Sequence, residues 1–147
     1  MLIQKSVLIA QPTERMFDLV ENIEQYPAFL PWCAGASRIA IDSALETESR
    51  SRATLHIDYR GIRQKFTTLN SQKRGQYLQM RLIEGPFKLL EGEWRFKALG
   101  QQACKIEFRL HYEFSSTLLS GLVVPVFNQI ANSFVDSFIQ RAEQTYA

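Results

Sequence analysis

The side chains in this chain that could do chemistry are few and scattered. His56 and Asp58 lie two residues apart, which in a strand puts both on one face, but no serine or cysteine is placed beside them as a nucleophile. Glu91 and Glu93 have the same spacing and could at most do acid–base work; the pattern favours solvated carboxylates. The sequence contains no HExxH, no GxSxG and no phosphate-cradling glycine loop. These residues favour a protein that binds over an enzyme.

The cysteines and histidines fit structural or surface positions. Cys33 and Cys104 form no CxxC pair and are predicted to be buried thiols. His56 and His111 fall on the charged face of their strands, which indicates surface histidines. No metal and no cofactor are predicted. An enzyme acting inside a cavity would need an inward-facing ionisable group, and the alternation offers only Tyr59, Tyr112 and Cys104.

Length and composition indicate one globular domain over residues 1–147, with 46% hydrophobic and 22% charged residues. A net charge of +2 and a pI near 8.6 do not by themselves indicate a nucleic-acid partner, and DNA is not expected. No apolar run reaches the ~18 residues that span a bilayer, and the N-terminus lacks a signal-peptide pattern. These features predict a cytoplasmic protein.

The middle of the chain alternates with period two, which is typical of strands. A first strand over Leu2–Ala10, with Lys5 marking a sheet edge, precedes a helix in which Pro12 is the first helical residue and Tyr26-Pro27 the stop. The alternation from Gly35 to Phe114 then predicts about six antiparallel strands joined by short turns.

The last thirty residues, Thr117 to Tyr146, predict a long helix with a kink or a restart at Pro125. Its apolar stripe needs a large partner, so we expect an α+β fold in which a strongly curved antiparallel sheet of about seven strands wraps around this helix. The stripe consists of two rows: Leu118, Leu122, Val126, Ile130, Phe134, Phe138 and Ala142, and Leu119, Val123, Phe127, Ala131, Val135 and Ile139.

The segment from Tyr26 to Cys33 contains two prolines, three aromatic residues and no charge. Its composition leaves two interpretations open, a buried connector that plugs the core or a wall of a ligand cavity. A curved sheet that closes on one helix often encloses an apolar space, which would suit a lipid or quinone better than a sugar; the alternative is a fully packed core. The candidate ligand-binding residues are Tyr26, Phe29, Leu30, Trp32, Phe66, Met80, Leu82, Phe87, Trp94, Phe96, Phe108, Tyr112, Ile130 and Phe134.

A cluster of cations lies between Arg50 and Arg74, where the only acid is Asp58. Alternation places several of these cations on the outer face with His56, which would form a basic stripe suited to phosphate. An ordinary solvated sheet face is the alternative. The candidate RNA-contacting residues are Arg50, Arg52, Arg63 and Lys65.

Several segments resemble the coenzyme Q-binding, START-like family of the polyketide cyclase/dehydrase superfamily, whose bacterial branch includes a ribosome-association toxin. The most specific are YPAFLPWC at Tyr26–Cys33 and GPFKLLEGEW at Gly85–Trp94. Supporting segments in family order are Met16–Val20, Phe66–Thr68, Asn132–Phe138 and Arg141-Ala142. The chain starts directly at its first strand, without the mitochondrial extension of eukaryotic members, which suggests a bacterial protein.

The resemblance implies a helix-grip fold and a cavity that takes an isoprenoid quinone such as ubiquinone, which the protein would deliver for respiration without catalysis. For the toxin branch it implies binding to the large ribosomal subunit and a block of subunit joining. Both branches carry these motifs, so carrier and ribosome-binding roles both stay open. Transient contact with the inner membrane surface also stays open.

Overall fold

The computed structural model describes residues 1–41, 48–115 and 117–146; the side chains of Leu118, Leu119 and Leu122 lie outside this description. The elements along the chain are β1 (Leu2–Ile9), α1 (Thr13–Glu21), a 3₁₀ helix (Ile23–Ala28), β2 (Cys33–Ile41), β3 (Ser49–Tyr59), β4 (Ile62–Lys73), β5 (Tyr77–Glu84), β6 (Phe87–Ala98), β7 (Cys104–Phe114) and α2 (Thr117–Tyr146).

The strands form one seven-stranded sheet in the order β1-β7-β6-β5-β4-β3-β2, and every neighbouring pair is antiparallel. Short turns join β3 through β7 in sequence, because neighbouring antiparallel strands need only a few connecting residues. β1 lies at one edge, as predicted, and the Lys5 ammonium donates a hydrogen bond to the Asn132 carbonyl of α2. The first strand is thereby attached to the last helix.

The core lies between the sheet and α2. On β7 the predicted alternation is confirmed, since every second residue from Cys104 to Phe114 is buried. Facing them, α2 buries residues at helical spacing: Val123, Phe127, Ile130, Ala131, Val135, Phe138 and Ala142. The α+β helix-grip fold expected from the sequence is therefore the observed one.

Trp94 joins the sheet to the helix at the centre of this core. Its ring centroid lies 4.6 Å from that of Phe108 on β7, and 5.6 Å and 5.2 Å from those of Phe134 and Phe138 on α2. The contacts with the helix are edge-to-face, the arrangement that the aromatic quadrupole favours. Trp94 is 1% exposed, so its whole indole contributes to burial.

Three predicted helix details differ in the structure. Pro12 is the N-cap rather than the first helical residue, because its ψ of 151° is extended. The first helix ends at Glu21, since Asn22 leaves helical geometry, and Tyr26-Pro27 lie inside the following 3₁₀ helix. Of the predicted kink or restart at Pro125, the restart is wrong, because α2 continues through this residue, although proline supplies no amide for the Gly121 carbonyl. The kink stays a prediction.

Replacing Trp94 with alanine should lower the free energy of unfolding by about 3–5 kcal/mol, because it removes the largest buried side chain and leaves a cavity. Urea denaturation followed by circular dichroism measures the change. Ile39→Ala, at a position 67% exposed, is the control and should stay within about 0.5 kcal/mol of the parent. Equal losses in the two variants would contradict the central role of Trp94.

Candidate functional site

A small apolar cavity lies between the inner face of the sheet and α2. Its volume is about 60 Å³, and none of the described residues that line it is charged. Predicted ligand-binding residues that line it are Tyr26, Trp32, Phe66, Met80, Phe108, Ile130 and Phe134. The rest of the lining comes mainly from small and aliphatic side chains that the prediction omitted, among them Ala53, Leu55, Ile57, Leu78, Leu90, Leu110 and Ala131.

The other predicted ligand-binding residues lie outside this lining. Leu30, Trp94, Phe96 and Tyr112 are buried in the surrounding core, and Leu82 is half-buried at its margin. Phe87 is buried in an aromatic group with Phe114 and Phe127, and Phe29 packs on Phe138. Their role in ligand binding stays a prediction.

The cavity is small for a ligand. Ligand pockets typically measure roughly 300–1,000 Å³. An isoprenoid quinone would therefore require side chains to move.

The aromatic connector serves as both alternatives that its composition left open. Tyr26 and Trp32 line the cavity, while the Tyr26 and Phe29 rings pack against Phe138, each with centroids 5.2 Å apart. The Tyr26 hydroxyl donates a hydrogen bond to the Val20 carbonyl, which fixes the connector to α1. The segment is therefore a wall of the cavity and a packed plug.

A few uncharged polar groups occur on the lining. The Thr68 hydroxyl donates a hydrogen bond to Asn70 Oδ1 at 2.7 Å, and Asn70 is 1% exposed. Trp32 Nε1 is a buried donor without a hydrogen-bond partner in the described part of the chain. Asn70 was missed, although continuing the alternation of Phe66 and Thr68 by two residues would have found it.

The buried titratable groups are neutral near pH 7. Burial raises the pKa of Cys33 to about 11 and that of Tyr112 to about 12, and it also raises the pKa values of Tyr26 and Cys104. The groups considered for an enzyme acting inside the cavity were Tyr59, Tyr112 and Cys104, and none of the three lines it. Tyr26 is the titratable residue among the described lining, and its hydroxyl donates to the Val20 carbonyl.

A second concavity, here called the outer groove, lies on the opposite face of the sheet. It has a volume of about 430 Å³ and draws on five strands, β3 to β7. Its lining residues are Arg50, Leu69, Ser71, Gln79, Met80, Arg81, Glu91, Gly92, Glu93, Arg109 and His111.

The predicted basic stripe is divided between two places. Arg50 lies in the outer groove, and the exposed Arg52 is beside it in the next cross-strand row. Arg63 and Lys65 lie with His56 and Asp58 around a separate shallow depression. Arg50 pairs with Ser71 and Lys65 is six residues earlier on the same strand, a distance of about 20 Å at 3.4 Å per residue.

Glu91 and His56 on the outer face are solvated, as predicted, whereas Glu93 and His111 are half-buried. Glu91 is exposed, while Glu93 accepts hydrogen bonds from Gln79 Nε2 at 2.8 Å and from Arg95 Nε. His56 is exposed and His111 half-buried.

Among the described residues no three His, Cys, Asp or Glu side chains form a metal-binding group. Within residues 1–41, 48–115 and 117–146 no helix has the length and apolarity to cross a membrane.

An antiparallel sheet closed by a long C-terminal helix, with a cavity between them, defines the helix-grip class of START-like proteins. A family model described as polyketide cyclase / dehydrase and lipid transport matches residues 9–139. The chain belongs to this family.

Curated relatives agree with the predicted resemblance. The ribosome association toxin RatA of Pseudomonas aeruginosa is 42% identical over 144 residues, covering 98% of this chain and 96% of the relative. The protein of the same name from Escherichia coli is 38% identical over 145 residues, covering 99% and 89%. A mitochondrial coenzyme Q-binding protein of Xenopus laevis, COQ10 homolog B, is 23% identical, covering 97% and 58%.

Solved structures show the same fold at lower identity. A START superfamily protein from Mycobacterium smegmatis has a TM-score of 0.79 at 19% identity, with 97% of each chain covered. The Zhui aromatase/cyclase from Streptomyces sp. R1128 also has a TM-score of 0.79, at 13% identity, with 100% of this chain and 96% of that chain covered. The fold class thus includes both binding proteins and cyclases.

Burial of Cys33 should make the free energy of unfolding decrease as the pH rises into the alkaline range. The thiol has its pKa raised from 9.0 to about 11, so above about pH 9 the unfolded chain releases a proton that the folded chain keeps. The free energy of unfolding should therefore fall between about pH 9 and pH 11, with Tyr26 and Tyr112 adding to the fall above about pH 10. Urea denaturation across this range should show a smaller fall for Cys33→Ala than for the parent chain. Identical slopes would contradict burial of this thiol.

Proposed function

We propose that this protein binds the large ribosomal subunit and hinders subunit joining. The observation that carries the proposal is 42% and 38% identity, across nearly the whole chain, to proteins named ribosome association toxin. The aligned span includes all seven strands and both helices, so a function of the sheet surface can be shared along with the fold. Contact with the ribosome needs no catalytic group.

The charge of the outer face supports this role. Arg52, Lys65, Arg81 and Arg109 make no ion pair with any described residue. Cations without an intramolecular partner can bind RNA phosphate without breaking a salt bridge first, and they release counterions from the RNA on binding. A compact 17.0 kDa domain held on the face where the subunits meet would hinder joining by occupying space.

The purified chain should co-sediment with isolated large subunits in a sucrose gradient and not with small subunits. Adding it to a mixture of the two should lower the amount of joined ribosomes. Because phosphate contacts release counterions, raising salt from about 50 mM to about 200 mM should weaken binding strongly. A gradient without ribosomes is the control for self-association. Failure to co-sediment at the lower salt concentration would contradict the proposal.

We propose as a second candidate that the inner cavity holds a hydrophobic small molecule without catalysis, with ubiquinone as the particular ligand to test. The apolar lining favours it, and Met80, whose side chain is flexible, can give up space. The cavity must expand considerably from about 60 Å³ to admit an isoprenoid chain. Delivery of such a ligand would place the protein in the cytoplasm with transient contacts at a membrane surface.

Filling the cavity tests this candidate. Ala53 lines the cavity on β3, and Ala53→Val adds two methyl groups there, which should raise the free energy of unfolding by about 0.5–2 kcal/mol. Ubiquinone uptake should fall at least tenfold, as measured by quenching of tryptophan fluorescence and by native mass spectrometry. Ala40→Val, the same change at an exposed β2 position, is the matched control and should leave uptake unchanged. Equal uptake by both variants would indicate that the ligand does not enter this cavity.

A further inference from the structure

We propose that the outer groove is an RNA-binding surface, in which Arg50, Arg81 and Arg109 contact the phosphates of an RNA strand that crosses the sheet. The inference rests on the proposed ribosome association and names the surface responsible. It replaces the hairpin from Arg50 to Arg74 with a site assembled from five strands. Two of the three arginines, Arg81 and Arg109, lie outside that hairpin.

The register of the sheet brings the three arginines together. Arg50 faces Ser71, Ser71 faces Gln79, Gln79 faces Glu93, and Glu93 faces Arg109, so one cross-strand row runs from β3 to β7. Arg81 is in the adjacent row on β5.

With neighbouring strands about 4.8 Å apart and the next row about 7 Å along the strand, Arg81 is about 12 Å from each of the other two arginines, and Arg50 and Arg109 are about 19 Å apart. This is an extended line of charge across the strands, which suits a polymer better than a single small anion.

Two of the three guanidinium groups have no intramolecular ion-pair partner. Arg81 and Arg109 are exposed, and neither has an ion-pair partner in the described part of the chain. Arg50 forms an ion pair with Glu48 at 3.7 Å through its buried Nε, while its side chain is 40% exposed and presents the rest of the guanidinium to the groove. Because arginine binds phosphate oxygens through parallel donors, each of these groups fits one backbone phosphate.

Two carboxylates in the groove must be compatible with an anionic ligand. Glu93 forms an ion pair with Arg95 and accepts a hydrogen bond from Gln79, so a cation already lies beside its charge. Glu91 lies in the row between Arg81 and His111 and makes no ion pair with a described residue. A carboxylate only accepts hydrogen bonds, and RNA supplies donors in its ribose 2′-hydroxyl and base amino groups. The mixture of arginines and a free carboxylate therefore favours RNA over a purely anionic surface such as a lipid bilayer.

No Phe, Tyr or Trp is among the described residues that line the groove, and His111 is half-buried there. The groove therefore lacks the row of large aromatic rings on which unpaired strands usually stack their bases. Phosphate and ribose contacts remain, which are the contacts that a folded RNA helix offers on its surface.

The test is a charge reversal in the groove, Arg50→Glu with Arg81→Glu and Arg109→Glu. The matched control is Arg15→Glu with Lys88→Glu and Lys97→Glu, which changes the net charge equally at exposed positions outside the groove. Binding to large ribosomal subunits and to protein-free ribosomal RNA is measured over a range of salt. A second groove variant with glutamine at the three positions covers the case that the reversal does not fold, as judged by circular dichroism.

The groove variants should lose most binding to both probes. The plot of log binding constant against log salt concentration has a negative slope, and its magnitude should decrease by about two to three in the groove variants. Each lost phosphate contact reduces the magnitude of this slope by about one. The control should keep the parent slope. Unchanged binding by the groove variants would overturn the proposal, and so would equal loss in groove and control variants. Loss in the control alone would also overturn it.

The proposed function and the groove fail in distinguishable ways. If the parent chain binds large subunits and the groove variants bind equally well, the groove proposal is rejected and ribosome association is retained. If the parent chain binds neither large subunits nor ribosomal RNA, but binds vesicles of anionic lipid, both ribosome association and the RNA-binding groove are rejected. If the parent chain binds ribosomal RNA but not large subunits, and the groove variants lose this RNA binding, the groove proposal is retained and ribosome association is rejected.

Discussion

Burial of the apolar stripe of α2 is the constraint on which the rest of the structure depends. A single helix with such a wide apolar face cannot be covered by another helix of this chain, since α1 is only nine residues long. The whole sheet must curve around it, and Trp94, Phe108, Phe134 and Phe138 fill the contact with interlocking rings. The inner face is therefore committed to packing, and only a small space is left inside.

Because the side chains of the inner face pack against α2, polar binding partners are left to the outer face of the sheet. Every second residue of each central strand points away from the helix, and register decides which of these side chains become neighbours. Gln79 thus lies between Ser71 and Glu93, residues on different hairpins. The combination of charges on this face is a product of strand pairing and belongs to no single segment of sequence.

Period-two and helical spacing were enough to predict the fold, because burial of one face leaves a strong pattern in strands such as β7 and in α2. The inner-face alternation was right from Phe66 to Tyr112. The pattern could not give the cavity volume, which depends on how side chains interlock. It also grouped Arg50 with Lys65, because nearness in sequence was taken for nearness in space, although β3 and β4 are eleven and twelve residues long.

Gly92 and Met80 line both the inner cavity and the outer groove. A Cβ atom at Gly92 would lie only 2.7 Å from Met80 Cε, so the end of the methionine side chain occupies the space that a residue with a side chain would need. A thioether chain rotates without displacing its own backbone. The protein can therefore change its internal free volume by a rotamer exchange at one residue, while the spacing of the outer arginines stays fixed by the hydrogen-bonded ladder.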